Sequence, residues 1–444
     1  MLERPEQERL KADLQALMNE AKKRGATAVE VIGGVDSGFS TTVRMGNVDT
    51  LEYHNDNNFA VGVYFGQRKG SANTSDTSFK AMLETLTAAC DIARYTEADP
   101  YAGLADADAM ATEIPNLDLY HPWSISPEEA INLALECENK ALQVDKRINN
   151  SEGATVSTSQ GYHVYANSHG FIGGYPTTNH ALSCSLIAEY NGEMQRDYDY
   201  TVAHDAQDLM RSDEIAAYAA HKVLSRLGAR TVKTCQVPVL LDTSIAGSLI
   251  ANFLSAIRGT ALYRKNTFLL NQLGKQIFPS FMEIEERPHL LKAIGSAPFD
   301  GDGLLTRPKK FIEEGILKSY VLSTYTARKL GMESTANAGG VFNAHVKSSG
   351  QEDLKALVKK MHKGIIVTEL MGQGVSILTG DYSRGACGFW VENGEIQYPI
   401  HGFTIAGNLK DMFANLVAVG NDKDIRHNSY CGSILLEKMM VAGE

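Results

Sequence analysis

A chain of 444 residues with 43% hydrophobic and 21% charged content is an ordinary globular sequence, long enough that two domains are expected in place of one core. The formal charge of −11 argues against a surface that gains affinity by neutralising phosphates, which disfavours direct nucleic-acid binding. Six scattered cysteines (Cys90, Cys137, Cys184, Cys235, Cys387 and Cys431) form no CxxC pair, the charge begins at Glu3, and no apolar run is long enough to cross a bilayer, so a cytoplasmic protein without signal or span is expected.

Residues 5–24 place Leu10, Leu14, Leu17 and Ala21 on one face of an amphipathic helix, which Gly25 ends. Residues 29–32 read as a strand, and 40–54 and 59–74 as two longer strands joined by a polar Asn/Asp turn. Residues 77–95 return to helix, burying Met82, Leu83, Leu86 and Cys90. The connection 96–125 is loop-rich and carries Pro100, Pro115 and Pro122. Ser126-Pro127-Glu128-Glu129 then has the side chains of a capping box with proline at the first helical position, opening a helix that runs to Val144. Asn191-Gly192 marks a tight hairpin. Ser212 is expected to cap a helix over 213–227, with Gly228 closing it.

The polar segment 229–236 is read as the boundary between an N-terminal domain, 1–228, and a C-terminal domain, 229–444. The second domain opens with a strand over 237–241, a turn at Asp242, and an apolar helix carrying Leu249, Ile250, Phe253 and Ile257. Strands are expected at 309–320 around Glu314-Gly315, at 364–370, at 374–380 and at 389–400 around Asn393-Gly394, with short helices at 323–331, 352–363 and 409–419. The fold class is therefore α+β: an N-terminal α/β domain with an antiparallel sheet, and a C-terminal β-rich sandwich or barrel-like domain.

Signature motifs are missing: there is no HExxH, GxSxG, GxxxxGK[ST] or complete GxGxxG. Asp300-Gly301-Asp302-Gly303 lacks the further carboxylates calcium needs and reads as an acidic turn. Gly372-Gln373-Gly374 reads as a turn before a strand. From Ile245 to Ile257 the apolar helix has no His, Cys, Asp or Glu, the residue types that bind zinc. Distant positions could still converge, as in a site made from Cys431, His427 and His401; separate core and surface residues are the preferred reading.

Five C-terminal segments are the recognisable part: Gly372-Gln373-Gly374-Val375, GDYSRGACGFWVENGEIQYPI over 380–400, TIAGNLKDMF over 404–413, VGND over 419–422 and YCGSILLEKMMVAG over 430–443. These resemble the TldD/PmbA family of peptidases and, within it, the PmbA (TldE) branch. The resemblance implies a subunit that pairs with a TldD-type subunit in a cytoplasmic metalloprotease processing or degrading unstructured peptides, or that self-associates as a homodimer in isolation. It also implies zinc in the partner, held by a His-Glu-x-x-x-His motif and a later cysteine. Laid on this chain, the motif falls on residues 251–256, with Ala251 and Ala256 at the ligand positions and Asn252 at the acidic one; Cys431 stands at the cysteine position. Without a metal there is no Lewis acid for a peptide carbonyl, and Asn252 cannot act as a general base. The expectation is a chain with no catalytic residue, no metal ligand and no cofactor of its own. Restoring Ala251→His, Asn252→Glu and Ala256→His should create weak metal affinity on this placement. Two alternatives are an independently active hydrolase with an unrecognised site and a regulatory binding protein acting on DNA gyrase, the latter through protein contacts.

Overall fold

The computed structural model describes residues 4–443. The first half contains α1 (Arg4–Lys23), β1 (Ala28–Arg44), β2 (Asn47–Phe65), β3 (Arg68–Thr74), α2 (Phe79–Tyr95), α3 (Pro127–Leu142), β4 (Ile148–Asn167), β5 (Ile172–Tyr190), β6 (Glu193–Ala203) and α4 (Ser212–Ser225). Its six strands form one antiparallel sheet in the order β3-β2-β1-β4-β5-β6. Val29 and Val31 of β1 pack under α1 and α2, while Phe39 and Val43 of the same strand pack under α3 and α4. All four occupy odd positions of β1, whose register with β4 is unbroken from Glu30 to Val43, so both helix pairs cover one face of the sheet, end to end.

The polar stretch Asn55–Asn58 is not a turn. It lies inside β2 with Asn57 opposite Val35 and Asp56 opposite Asp36, because β1 is polar at the same level and the pair shares a solvated stretch. The chain reverses at Met45-Gly46 and again at Gly66-Gln67. Met45 and Gly46 adopt φ of 48° and 75°, the double positive φ of a type I′ turn. Asn191 and Gly192 do the same at 52° and 82°, where the hairpin was expected. Ser126 and Glu129 form the expected capping box, whereas Arg211, not Ser212, holds the cap position of α4; the Ser212 hydroxyl turns to Glu136 instead, at 3.0 Å.

The second half contains β7 (Cys235–Leu241), α5 (Thr243–Ala256), α6 (Gly259–Tyr263), β8 (Ile284–Glu286), β9 (Lys309–Glu313), β10 (Ile316–Leu317), α7 (Thr324–Leu330), β11 (Ala344–Val346), α8 (Leu354–Met361), β12 (Gly364–Met371), β13 (Asp381–Glu392), β14 (Glu395–Asn408), α9 (Leu409–Ala414), β15 (Leu416–Val419), β16 (Ser429–Tyr430) and β17 (Ile434–Ala442). Strands run β14-β13-β12-β7-β17, and β17 pairs back onto β14, closing a five-stranded barrel with β15 on its flank. A smaller sheet, β10-β9-β8-β11-β16, lies beside it. Alternation sets the packing: Val239 and Leu241 join α5 in the main core with Ile365 and Val367, while Leu240 and Ile366 face α8. Phe253 of α5 meets Phe278 and Phe413 edge-on, with ring centroids at 5.2 and 5.9 Å.

Two expected elements differ. Residues 374–380 form an irregular loop touching the sheet through one bridge, Val375 to Tyr382. The helix expected over 409–419 stops at Ala414, because buried Leu416, Ala418 and Val419 are taken up by pairing with β17. Among the described residues no helix is long and apolar enough to cross a membrane.

Candidate functional site at the seam between the halves

The sequence puts acids and aromatics in alternation along β6, as Arg196-Asp197-Tyr198-Asp199-Tyr200. In an edge strand every second residue turns its N–H and C=O away from the neighbouring strand, leaving them unpaired. Here they are taken by side chains. The N–H groups of Tyr198 and Tyr200 donate to the Asp197 and Asp199 carboxylates, each at 2.8 Å. The carbonyls of Arg196, Tyr198 and Tyr200 accept from Arg226 at 2.7 Å, Lys222 at 3.3 Å and Arg426 at 2.9 Å. Lys222 and Arg226 come from the end of α4, whereas Arg426 crosses over from the second half.

The same cations join the two halves. Arg226 also pairs with Glu369 of β12, and Arg426 pairs with both Asp199 and Asp424. Burial pushes the Asp197 carboxyl up, with Arg226 opposing it. At Asp424 burial pushes the same way, but hydrogen bonds from Arg426 outweigh it and hold the carboxyl below its usual value.

Arg426 separates two clefts that meet the first turn of α5. One, about 880 Å³, is lined by Tyr198, Tyr200, Ser244, Ser248 and Tyr398. The other, about 850 Å³, is lined by Thr243, Leu290, Ile294, His345, Lys423 and Ile425. In the second, Lys423 Nζ lies 2.9 Å from His345 Nε2. Burial, then the neighbouring Lys423 and Arg287 charges, push His345 down to about 4. Burial, then Arg287, likewise lowers Lys423. A neutral imidazole accepts a hydrogen bond from the lysine at Nε2, which puts its own proton on Nδ1. That atom is buried and has no acceptor; Glu285 Oε1 stands 3.8 Å off.

Asp242 caps α5 by accepting from the Ser244 N–H at 3.0 Å. Ser248 follows one turn later, and the next turn on that side brings Ala251 and Asn252. Ala251 is exposed and Asn252 partly exposed, whereas Ala256 lies wholly in the core. Positions five apart on a regular helix differ by about 140°, and this helix shows the consequence: the two motif positions look into different surroundings. Side chains placed there would not meet on one ion without distorting the helix, which removes the ground for expecting metal affinity from the triple restoration. Cys431 is buried among apolar neighbours, with its thiol against the Gly432 carbonyl at 3.2 Å. Burial pushes this thiol up to about 12, far from the thiolate a metal takes. His427 is exposed and bonds Tyr200 at 2.9 Å; His401 lies on β14. Among the described residues no group of three or more His, Cys, Asp or Glu is placed to hold a metal, so Cys431, His427 and His401 are not brought together. The donor set at 251–256 and 431 does not fit zinc.

Asp300 is a turn-former: it accepts from Asp302 and Leu304 N–H at 2.9 and 3.0 Å, and from Ala338 N–H at 2.9 Å. Sequence reading missed Asp199, Arg226, His345, Lys423 and Arg426. The one available signal was the acid–aromatic alternation of β6.

A two-part α+β chain of this kind has counterparts among proteins of a metallopeptidase family. Three domains of the PmbA/TldA metallopeptidase family match it: domain 1 over 29–93, the central domain over 120–227 and the C-terminal domain over 234–443. The chain is 49% identical to the Escherichia coli protein called metalloprotease PmbA, over 94% of this chain and 92% of that one. It is 45% identical to a Haemophilus influenzae PmbA homologue, over 95% and 94%. A Bacteroides thetaiotaomicron crystal structure, described as a candidate modulator of DNA gyrase, superposes with a TM-score of 0.92 at 28% identity, covering 100% of both chains. The chain belongs to the PmbA/TldD family.

Proposed function

We propose that this chain is a non-catalytic subunit of a heteromeric, cytoplasmic PmbA/TldD-type metalloprotease, one that holds unstructured peptide for a zinc-bearing TldD-type partner. The observation that carries the reading is α5. At the place where the family's catalytic motif falls, the helix offers Ala251, Asn252 and Ala256, and these divide between solvent and core. The residues themselves supply no Lewis acid and no general base. Beside the helix, the seam clefts have volumes in the range of about 300–1,000 Å³ that small ligands and short peptide segments fill. Next to the clefts, strand addition is disfavoured on β6, where the outward groups between the Arg196 carbonyl and Tyr200 are already bonded, and on the barrel, whose sheet closes on itself. Side-chain contacts in the clefts are the hold that this reading assigns to the peptide.

The test is peptide cleavage by the purified chain alone, by a TldD-type partner alone, and by the mixture, with metal content measured for each. Activity and stoichiometric zinc only where the partner is present is the expected result. Chelator-sensitive cleavage by this chain alone would overturn the reading in favour of an independent hydrolase.

A further inference from the structure

Among the described residues, the 850 Å³ cleft has one cation without an acidic ion-pair partner. Of the basic side chains that line it, Lys292 is paired with Asp205 and Asp208, and Arg426 with Asp199 and Asp424. Those pairings also neutralise Asp208 and Asp424, the carboxylates that line the same cleft. Lys423 is different. Among the described residues no carboxylate pairs with it, and its side-chain hydrogen bond goes to His345 at 2.9 Å. Burial, and then the Arg287 charge, lower its proton affinity, with Glu285 opposing at longer range; Glu285 itself is taken up by Arg287. A half-buried ammonium whose one close side-chain partner is a neutral imidazole is an arrangement an incoming anion would relieve.

The rest of the lining says what kind of anion. Leu290, Ile294 and Ile425 make an apolar wall next to the lysine, and Ile425 is 69% exposed with nothing packed over it. A small inorganic anion would leave that wall wet. A carboxylate carried on an apolar body would cover it. We propose that this cleft takes the α-carboxylate of an extended peptide on Lys423, with the peptide's last apolar side chains against Leu290, Ile294 and Ile425. This rests on the reading above that the chain handles unstructured peptides, and it adds an end to that reading: substrates enter by their C-terminus, and apolar C-terminal residues are favoured.

The test is calorimetric titration of the full chain with an N-acetylated tripeptide ending in leucine, as free acid and as C-terminal amide, with inorganic phosphate as a third titrant. Loss of a charge-assisted contact of this kind corresponds to about tenfold or more in affinity. The acid should therefore bind at least about tenfold tighter than the amide, Lys423→Met should erase that preference, and Lys423→Arg should keep most of it. Equal binding of acid and amide would overturn the proposal, as would a preference that survives Lys423→Met. Phosphate that displaces the tripeptide while acid and amide bind alike would mean a general anion site, and would overturn it too. Should Lys423→Met fail to fold, the acid-to-amide ratio of the unaltered chain still decides. An acid preference without any cleavage by the mixture with a TldD-type partner leaves this site standing and removes the protease reading instead.

Discussion

The two halves solve the edge problem of a β-sheet in opposite ways. The second half closes its main sheet into a barrel and pools α5, the barrel strands and the smaller sheet in one core. The first half leaves its sheet open and divides its core in two, one cluster under α1 and α2, the other under α3 and α4. Between those clusters the sheet is polar, with Ser37, Asn57, Thr158 and Gln160 lining an opening of about 910 Å³. A pooled core should fail as one unit, whereas a divided one should open locally at the polar belt. The comparison also explains where charge is needed: the open sheet must cap β6 with side chains, and some of those side chains are what hold the halves together.

The sharpest way to break the comparison is inside the pooled core. Glu286 is wholly buried, accepts from Asn337 at 2.8 Å and Phe342 N–H at 2.6 Å, and pairs with Lys309. Lys309→Met should cost about 3–5 kcal/mol, because it strands a buried carboxylate. Adding Glu286→Leu should recover part of that, read by urea unfolding; a loss confined to one small sheet would show the core is not pooled. Next, Ala256→His should cost about 1–3 kcal/mol by overpacking a full site, while Ala251→His, out in solvent, should stay within about 0.5 kcal/mol. Similar losses for the two would mean α5 is seated differently.

At the seam, Arg426→Ala leaves the Asp199 carboxylate and the Tyr200 carbonyl without this donor, costing about 1–3 kcal/mol. Faster hydrogen exchange in β6, with the barrel unchanged, is the expected readout. A pH effect runs through Asp300. Burial, and then the neighbouring Asp302, push Asp300 up to about 7. Its folded value lies above its unfolded one, so the stability it contributes is complete below the ordinary carboxylate range and is lost as pH rises toward about 7. The melting temperature should thus decline from pH 5 to 8 (about one unit beyond 7 completes the change). Asp300→Asn should flatten that slope, and an unaltered slope would place the titration elsewhere.

Much of this was readable in the chain because it is local. The capping box at Ser126 and the Asn191-Gly192 hairpin each need only neighbours a few residues away, and both formed where expected. Asn55–Asn58 misled because a polar run marks solvent exposure, and an exposed strand edge satisfies that as well as a turn does. The true reversal at Met45-Gly46 sat in a sequence with weaker turn chemistry. The seam was illegible for another reason: Arg426 and Asp199 are 227 residues apart, and no periodicity links them. The burial of Ala256 and exposure of Ala251 follow from helical geometry alone, but which face turns inward is decided by the barrel.

The capped edge of β6 has a bearing on storage and handling. A neighbouring molecule seeking to extend the sheet there would first have to break several charge-assisted bonds, so that side is protected against fibrillar growth. β2 has no such protection: over Asn47–Asn58 it pairs with β1 alone and displays Val48, Leu51 and Tyr53 to solvent. When concentrated preparations of this protein cloud, ordered aggregates should be seeded from that strand, and a lysine at position 51 should slow their appearance.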